Sequence, residues 1–137
     1  MLGKTRRAEI RALVEDYAAR IRRYAEVDWI ELRESSPAAM RRAEPGAGST
    51  IVLLDAGGRS FTSERFAEWL GAARDRGTRD LVFLCGAAEG FPEAWRRRAG
   101  TKISLSSLTF SHELARAVLV EQLYRAFTIL AGHPYPK

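Results

Sequence analysis

Two long segments of the chain carry apolar residues at helical spacing. Between about residues 6 and 25, apolar or aromatic side chains recur three or four positions apart, which predicts an amphipathic helix. Between about residues 112 and 130 they cover almost the whole circumference, and Ser111 precedes this second helix as a cap. A helix without a polar face is buried on more than one side. In so short a chain, we expect one of those sides to face a second subunit.

Two shorter runs of apolar residues, 51–54 and 81–84, show no alternation with polar positions. Such runs are typical of parallel strands that are buried on both faces. Between the two runs, Thr62 or Ser63 caps a helix whose inner face is apolar and consists of Phe66, Trp69, Leu70 and Ala73.

The remaining elements are brief. Residues 27–32 and 102–105 are strand candidates. Ser36-Pro37 and Pro92 begin short helices, because proline suits the first helical turn. Strands that alternate with helices predict an α/β fold, in which a mostly parallel sheet is flanked by helices.

The composition narrows the class of protein. The chain has 137 residues, 46% hydrophobic and 28% charged, which predicts one globular domain over residues 1–137 and excludes a disordered chain. No apolar run approaches the roughly 18 residues of a membrane span, and no secretion signal is evident. Cys85 is the single cysteine, which excludes a disulfide scaffold and favours a reducing cytoplasm.

The charge balance is basic. The 22 cations outnumber the 17 acidic residues, and all cations except Lys4, Lys102 and Lys137 are arginines. An excess of arginine favours a polyanionic partner such as RNA, through phosphate and base contacts. A GC-rich genome would produce the same excess without that selection, so both interpretations stay open.

Two segments have the composition of a ligand site. Residues 86–90 form a glycine-containing turn at the carboxyl end of a predicted buried strand, where open α/β sheets bind ligands. Residues 104–111 place hydroxyl groups at the N-terminus of the last helix. The alternative interpretations are an ordinary strand-to-helix turn and simple capping by Ser111.

The sequence gives little support for a P-loop, a serine nucleophile elbow or a metal site. Gly3-Lys4-Thr5 resembles only the end of a phosphate-binding P-loop, and no G-x-S-x-G nucleophile elbow is present. His112 and His133 have no partner at metal-ligand spacing, so we expect no metal site. Cys85 is more typical of a small core residue than of a nucleophile.

Several of these segments together resemble the RlmH family of SPOUT-class methyltransferases. The resemblance covers nearly the whole chain, is strongest from about residue 50 onward, and rests on residues 54–55, 86–90, 105–109, 112–116, 121–126 and 133–135. It implies an α/β fold with a C-terminal trefoil knot, a homodimer and a ribosomal RNA substrate. The implied reaction is methylation of N3 of a pseudouridine in 23S ribosomal RNA, with S-adenosylmethionine as the methyl donor.

The resemblance also implies roles for individual residues. His133, Tyr135 and Arg125 are the catalytic candidates, and Arg116, Arg125 and Lys137 are the candidates for binding RNA. The implied cofactor-binding residues are Leu54, Gly86, Ala87, Gly90, Leu105, Ser106, Ser107, Leu108, Thr109, Phe110 and Ser111.

The chain departs from the family pattern at three points. Met1-Leu2 stands where the family has a whole first strand, Ala87 replaces the second of two glycines, and Pro136 replaces a histidine. These departures motivate an alternative function, a catalytically weak paralogue that binds RNA or the ribosome. The identity of the proton acceptor also stays open.

Overall fold

Three short strands and five helices alternate along the chain. The computed structural model describes residues 1, 4–32, 37–87 and 90–135. In chain order the elements are α1 (Ala8–Ile21), α2 (Pro37–Arg42), β1 (Thr50–Ser60), α3 (Ser63–Asp75), β2 (Leu81–Leu84), α4 (Glu93–Arg98), β3 (Ala99–Ser104) and α5 (His112–Ala131).

The strands form one parallel sheet in the order β2-β1-β3. Ile51 is in register with Val82 of β2 on one side and with Ala99 of β3 on the other. The apolar run at the start of β1 is therefore central, and helices cover both of its faces. The prediction of an α/β fold with a parallel sheet is confirmed.

The two faces of the sheet build two separate cores. Ile51 and Leu53 point to the face with α2 and α4, where they pack with Met40 and Trp95. Val52, the residue between them, packs on the opposite face against residues of α3, β3 and α5, namely Phe66, Ala67, Leu70, Ile103 and Ala126. The apolar face of α3 is thus buried as predicted.

Helix α1 packs against α5 and forms a further layer. Val14 is fully buried and contacts Ala117 and Val120 of α5. One of the apolar sides of α5 is therefore covered by α1 of the same chain. Leu114 and Ile129 on α5 remain 44% and 42% exposed, so part of its apolar surface has no cover within the described residues.

The helix starts agree with the capping residues in the sequence. The Thr62 hydroxyl accepts a hydrogen bond from the Arg65 amide at 3.1 Å, and the Ser111 hydroxyl accepts one from the Leu114 amide at 3.3 Å. Pro37 is the first residue of α2, whereas Ser36 lies outside the described residues. Among the described residues, no helix has the length and hydropathy to cross a bilayer.

One predicted strand and two predicted strand boundaries are wrong. Among the described residues, 27–31 are not in a strand and Leu32 forms a bridge: the Met1 ammonium donates to the Ile30 carbonyl at 2.9 Å, and the Leu32 amide donates to the Met1 carbonyl at 2.8 Å. Strand β3 begins at Ala99 rather than at residue 102, and β1 continues to Ser60 instead of ending near Asp55.

Candidate active site

Segments from all three strands meet at the carboxyl edge of the sheet and enclose a cavity of about 160 Å³. The first turn of α5 completes its wall. The lining residues are Leu54, Asp55, Ala56, Cys85, Gly86, Leu105, Ser106, Leu108, Thr109, Phe110, His112 and Ala115. This is the edge at which open α/β sheets bind ligands.

The first wall segment is an irregularity inside β1. Ile103 of β3 pairs with both Leu54 and Arg59, so the intervening residues of β1 bulge out of the ladder. The Asp55 carboxylate accepts a hydrogen bond from the Gly57 amide at 3.0 Å, which stabilises the bulge. Bulges commonly redirect side chains beside active sites, and this one turns Asp55 toward the cavity.

The second segment follows β2. Gly86 has a φ of 145°, in a region that residues with a side chain rarely adopt. Ala87 is exposed, has no positive φ and does not line the cavity, so its methyl group does not crowd the pocket. Burial raises the pKa of the Cys85 thiol, which keeps it protonated and unsuited to act as a nucleophile.

The third segment leads from β3 into α5. The Ser104 hydroxyl donates to the Ser106 carbonyl at 2.9 Å, and the Ser106 hydroxyl accepts from the Leu108 amide at 3.0 Å. These bonds fold the segment into a tight turn. The turn presents apolar groups from Leu105 and Phe110 together with hydroxyl groups to the same cavity.

The sequence identified most of this wall, but not all of it. Four of the proposed cofactor-binding residues do not line the cavity: Ala87, Gly90, Ser107 and Ser111. Residues 88 and 89 of the predicted turn lie outside the described residues. Sequence reasoning did not assign Ala56, Cys85, His112 and Ala115 to the site. For His112 and Ala115, the available signal was their spacing of three at the start of a helix that follows the third segment.

The catalytic candidates lie together on another face of α5. The Tyr135 hydroxyl donates to the Glu121 carboxylate at 2.9 Å and lies 3.0 Å from the Tyr17 hydroxyl. Arg125 forms a 2.8 Å ion pair with Glu121, and its guanidinium lies 4.6 Å from the centre of the Tyr135 ring. We call this cluster of Tyr17, Glu121, Arg125 and Tyr135 the tail network.

The tail network constrains what Tyr135 can do. Burial, the Tyr17 hydroxyl and the Glu121 carboxylate raise the pKa of Tyr135, so its phenol stays protonated near neutral pH. A protonated phenol with both hydrogen-bonding directions in use is an anchor for the chain terminus, not a base.

His133 is the other candidate from the tail. Its Nδ1 lies 2.6 Å from the Tyr24 hydroxyl, and its ring packs against the Tyr24 ring. Within the described residues no hydrogen bond engages Nε2 of this exposed side chain. When Nδ1 carries the proton and donates to Tyr24, Nε2 holds the lone pair that can accept a proton.

The structure gives Arg116 a different environment from the one expected of an RNA-binding residue. Its side chain is only 2% exposed, and it donates to the Thr5 hydroxyl at 2.6 Å. A buried guanidinium that bridges α5 to the N-terminal segment does not contact RNA from this position. Lys137, the remaining RNA candidate at the chain end, lies outside the described residues, as does Pro136.

The tail network and the cavity are separated within one chain. Glu121 is nine residues beyond His112 on α5, which at about 1.5 Å per residue is roughly 14 Å along the helix axis. The hundred-degree step per residue also places them on different sides of the helix. One chain by itself therefore does not bring its tail to its own cavity in this conformation.

Comparisons with known proteins agree with this architecture. The family model described as "Predicted SPOUT methyltransferase" matches residues 1–136. The Ribosomal RNA large subunit methyltransferase H of Geobacter sp. (strain M21) is 44% identical over 144 residues, which cover 98% of this chain and 94% of that protein. The protein of the same name from Koribacter versatilis (strain Ellin345) is 38% identical over 135 residues, covering 98% and 92%. The chain belongs to the SPOUT methyltransferase family.

Proposed function

We propose that this protein is an S-adenosylmethionine-dependent methyltransferase that modifies N3 of a pseudouridine in 23S ribosomal RNA. The observation that carries the proposal is the cavity at the carboxyl edge of the sheet, to which segments of all three strands and the first turn of α5 contribute. The printed names of the relatives, which are ribosomal RNA large subunit methyltransferases, supply the substrate class. The specific nucleotide and atom come from the family resemblance of the sequence.

The residues of the cavity fit the proposed cofactor by chemistry. Leu54, Leu105 and Phe110 offer apolar surface for a purine ring, and the Asp55 carboxylate can accept hydrogen bonds from ribose hydroxyl groups. Gly86 allows the backbone to approach the ligand closely. When bound, S-adenosylmethionine supplies the activated methyl group, and the protein aligns that group with the base nitrogen.

We expect the third segment to move when the cofactor binds, because the cavity is small. Pockets for small molecules usually begin at roughly 300 Å³, whereas this cavity measures about 160 Å³. Leu108 is 72% exposed at the rim, so an outward shift of its turn costs little buried apolar surface. Such a movement widens the cavity without disturbing the sheet.

The chain must also remove the proton from N3 of the base. His133 Nε2 is our candidate for the proton acceptor, with Tyr24 orienting the ring through Nδ1. Tyr135 holds the tail against α1 and α5, and Arg125 supplies positive charge beside it. Tyr135 thus becomes a positioning residue in this proposal rather than the base.

The proposed active enzyme is a homodimer. Because the tail network and the cavity are separated along α5, the tail in this proposal comes from the second copy. The outward side of α5 suits this contact, because Leu114 and Ile129 are exposed apolar residues that flank the tail network along the helix. An enzyme that modifies ribosomes would work in the cytoplasm, where its substrate is.

The alternative of a catalytically weak RNA-binding paralogue loses one of its supports. Ala87 is compatible with the cavity because it neither lines it nor has a positive φ. The other two departures concern Met1-Leu2 and Pro136, and of these residues the structure describes only Met1.

Two measurements test the proposed function together. Calorimetric titration with S-adenosylmethionine should show micromolar binding, and radiolabelled methyl groups should pass to 23S ribosomal RNA in unmethylated ribosomes. Mass spectrometry of nuclease fragments would then locate the methyl group on one pseudouridine. Cofactor binding without any transfer to ribosomes would support the paralogue instead.

A matched pair of variants links the activity to the cavity. Ala56 is exposed at the cavity wall, so Ala56→Trp should block cofactor binding at least tenfold without disturbing the core. Ala47 is exposed in the loop before β1, away from the cavity, and Ala47→Trp should bind normally. Equal binding by both variants would remove the cavity from the proposal.

A further inference from the structure

A broad depression lies beside the N-terminus of α1 and is distinct from the cofactor cavity. Its volume is about 580 Å³, and it is lined by Lys4, Thr5, Arg6, Ala8 and Arg11. Three of these five residues are cationic. The depression is open to solvent, so phosphates of an extended RNA backbone can reach its cations.

Two of the cations are available to a ligand. Lys4 and Arg6 are exposed, and within the described residues neither side chain forms an ion pair. Arg11 has a more structural position, because its guanidinium donates to the Thr5 carbonyl at 2.6 Å and lies 3.8 Å from Glu31. The depression thus has one cation on its wall that is paired with Glu31, and two exposed cations at its rim that form no ion pair within the described residues.

Helix α5 connects this depression directly to the candidate active site. The Glu113 carboxylate accepts the Arg6 and Arg7 amides at 2.7 and 2.9 Å, and Arg116 donates to Thr5. His112 and Ala115 on the same helical turn line the cofactor cavity. The depression and the cavity therefore flank the first turn of α5.

We propose that this basic depression binds the phosphodiester backbone of the RNA next to the target base. The inference rests on the proposed function and adds to it a surface on which the RNA lies. Lys4 acts there as a mobile point charge and Arg6 as a planar donor to phosphate oxygens. Contacts of this kind position the RNA and carry no sequence information.

The chemistry of the depression favours side-chain contacts to phosphate over a helix-terminus site. The Arg6 and Arg7 amides already donate to Glu113, so they do not point free donors at an anion. The Thr5 hydroxyl is bound by Arg116 and is 1% exposed, which excludes the metal-ligating role that a P-loop threonine would have. Binding should therefore be electrostatic and strongly dependent on salt.

The test compares two double variants that each remove two cations. Lys4→Ala/Arg6→Ala removes the two exposed cations at the rim of the depression. Arg76→Ala/Arg79→Ala removes two exposed cations before β2, at the opposite edge of the parallel sheet. For both full-length variants and wild type, binding to a 23S ribosomal RNA hairpin and methylation of unmethylated ribosomes are measured from 50 to 300 mM KCl.

We expect Lys4→Ala/Arg6→Ala to weaken RNA binding and to leave S-adenosylmethionine binding unchanged. This variant should bind the hairpin about tenfold more weakly. The slope of log affinity against log salt should fall by about one per lost contact. In the methylation assay, KM for ribosomes should rise more than kcat falls. S-adenosylmethionine should bind as in wild type, which shows that the cavity is intact. The Arg76→Ala/Arg79→Ala variant should change each quantity less than twofold.

Two results would overturn the proposal. One is equal loss of RNA affinity in both double variants, which would mean that only net charge matters. The other is an unchanged salt slope in Lys4→Ala/Arg6→Ala while wild type methylates ribosomes normally. Failure of the proposed function is a different outcome, because wild type itself would then transfer no methyl group.

Discussion

Gly58 of β1 lies directly against the backbone of β3. A Cβ atom built on Gly58 would meet the Lys102 carbonyl carbon at 2.7 Å and the Ile103 amide nitrogen at 2.8 Å. These are backbone atoms, so the clash cannot be relieved by a rotamer change. Because Gly58 has no side chain, β1 can pair with β3 again after its bulge beside the cavity.

We therefore expect Gly58→Ala to lower the free energy of unfolding by about 1–3 kcal/mol, the usual cost of overpacking. Gly57→Ala is the matched control, because its Cβ would lie 3.7 Å from the Asp55 carboxylate and meet nothing closer. Both changes remove the same backbone freedom from the unfolded chain, so their difference isolates the clash. Urea unfolding curves of the two variants would measure it, and equal midpoints would contradict the close approach.

Some individual residues of the site could be predicted from the sequence, and others could not. Leu105, Ser106 and Phe110 could be placed at the cavity because they directly follow a recognisable buried strand. Arg116 could not be placed, because its burial depends on Thr5, which lies 111 positions away in the chain. Local pattern gives no information about such a contact, and an arginine in a basic chain is naturally assigned to solvent or RNA.

At the scale of elements, the N-terminus of α1 is capped by a residue of α5. Arg7 occupies the N-cap position and supplies no side-chain cap, whereas Glu113 accepts the Arg6 and Arg7 amides from across the helix pair. A carboxylate at this position satisfies otherwise unpaired amides and complements the helix dipole. The contact fixes α1 to the turn of α5 that lines the cavity.

This contact gives the stability a defined dependence on pH. The hydrogen bond from the Arg7 amide is the largest influence that lowers the pKa of Glu113 below its ordinary value of 4.5, and the Arg6 amide adds to it. The unfolded chain then binds more protons than the folded chain in this range. Glu113 therefore stabilises the fold above about pH 4.5, and this contribution is lost as the pH falls through the lowered pKa.

Glu113→Gln should accordingly lower Tm by a few degrees near pH 7, and the difference from wild type should shrink as the pH falls below about 4.5. Glutamine keeps an acceptor oxygen but lacks the charge. Glu64→Gln is the control, because Glu64 is an exposed residue in the first turn of α3. Thermal unfolding followed by circular dichroism between pH 3 and 7 would measure both. A Glu113→Gln difference that is independent of pH would argue against the charged cap.

The elements themselves were predictable to the extent that burial leaves a periodic pattern. Helices α3 and α5 have apolar patterns and capping residues, and strand β2 is a continuous apolar run, so their positions follow from local sequence. Residues 27–32 have the composition of a strand, but strand formation depends on a neighbour, which composition does not reveal. The bulge that extends β1 to Ser60 likewise depends on its pairing with Ile103.

At the scale of the whole molecule, the two halves of the proposed active site lie on different faces of α5. The cavity is at the first turn, whereas Tyr135 anchors the tail to Glu121 and Tyr17 farther along the helix. The sequence indicated that α5 is apolar on almost all sides, and α1 covers one of these sides while α3 and the sheet cover another. Leu114 and Ile129 are exposed on another side, where we propose that the second copy packs.

Mixing two inactive variants distinguishes a site shared between subunits from a site within one chain. Ala56→Trp blocks the cavity and keeps its tail, while Tyr135→Ala loses the tail anchor and keeps its cavity.

If each cavity receives the tail of the other subunit, a mixed dimer has one site with two intact parts. Random pairing makes about half of the dimers mixed, so methylation should recover to about a quarter of the wild-type rate after exchange of subunits. If each chain used its own tail, every chain in the mixture would carry one defect and no activity would return. Sedimentation of the mixture, which must show dimers, makes a negative result decisive.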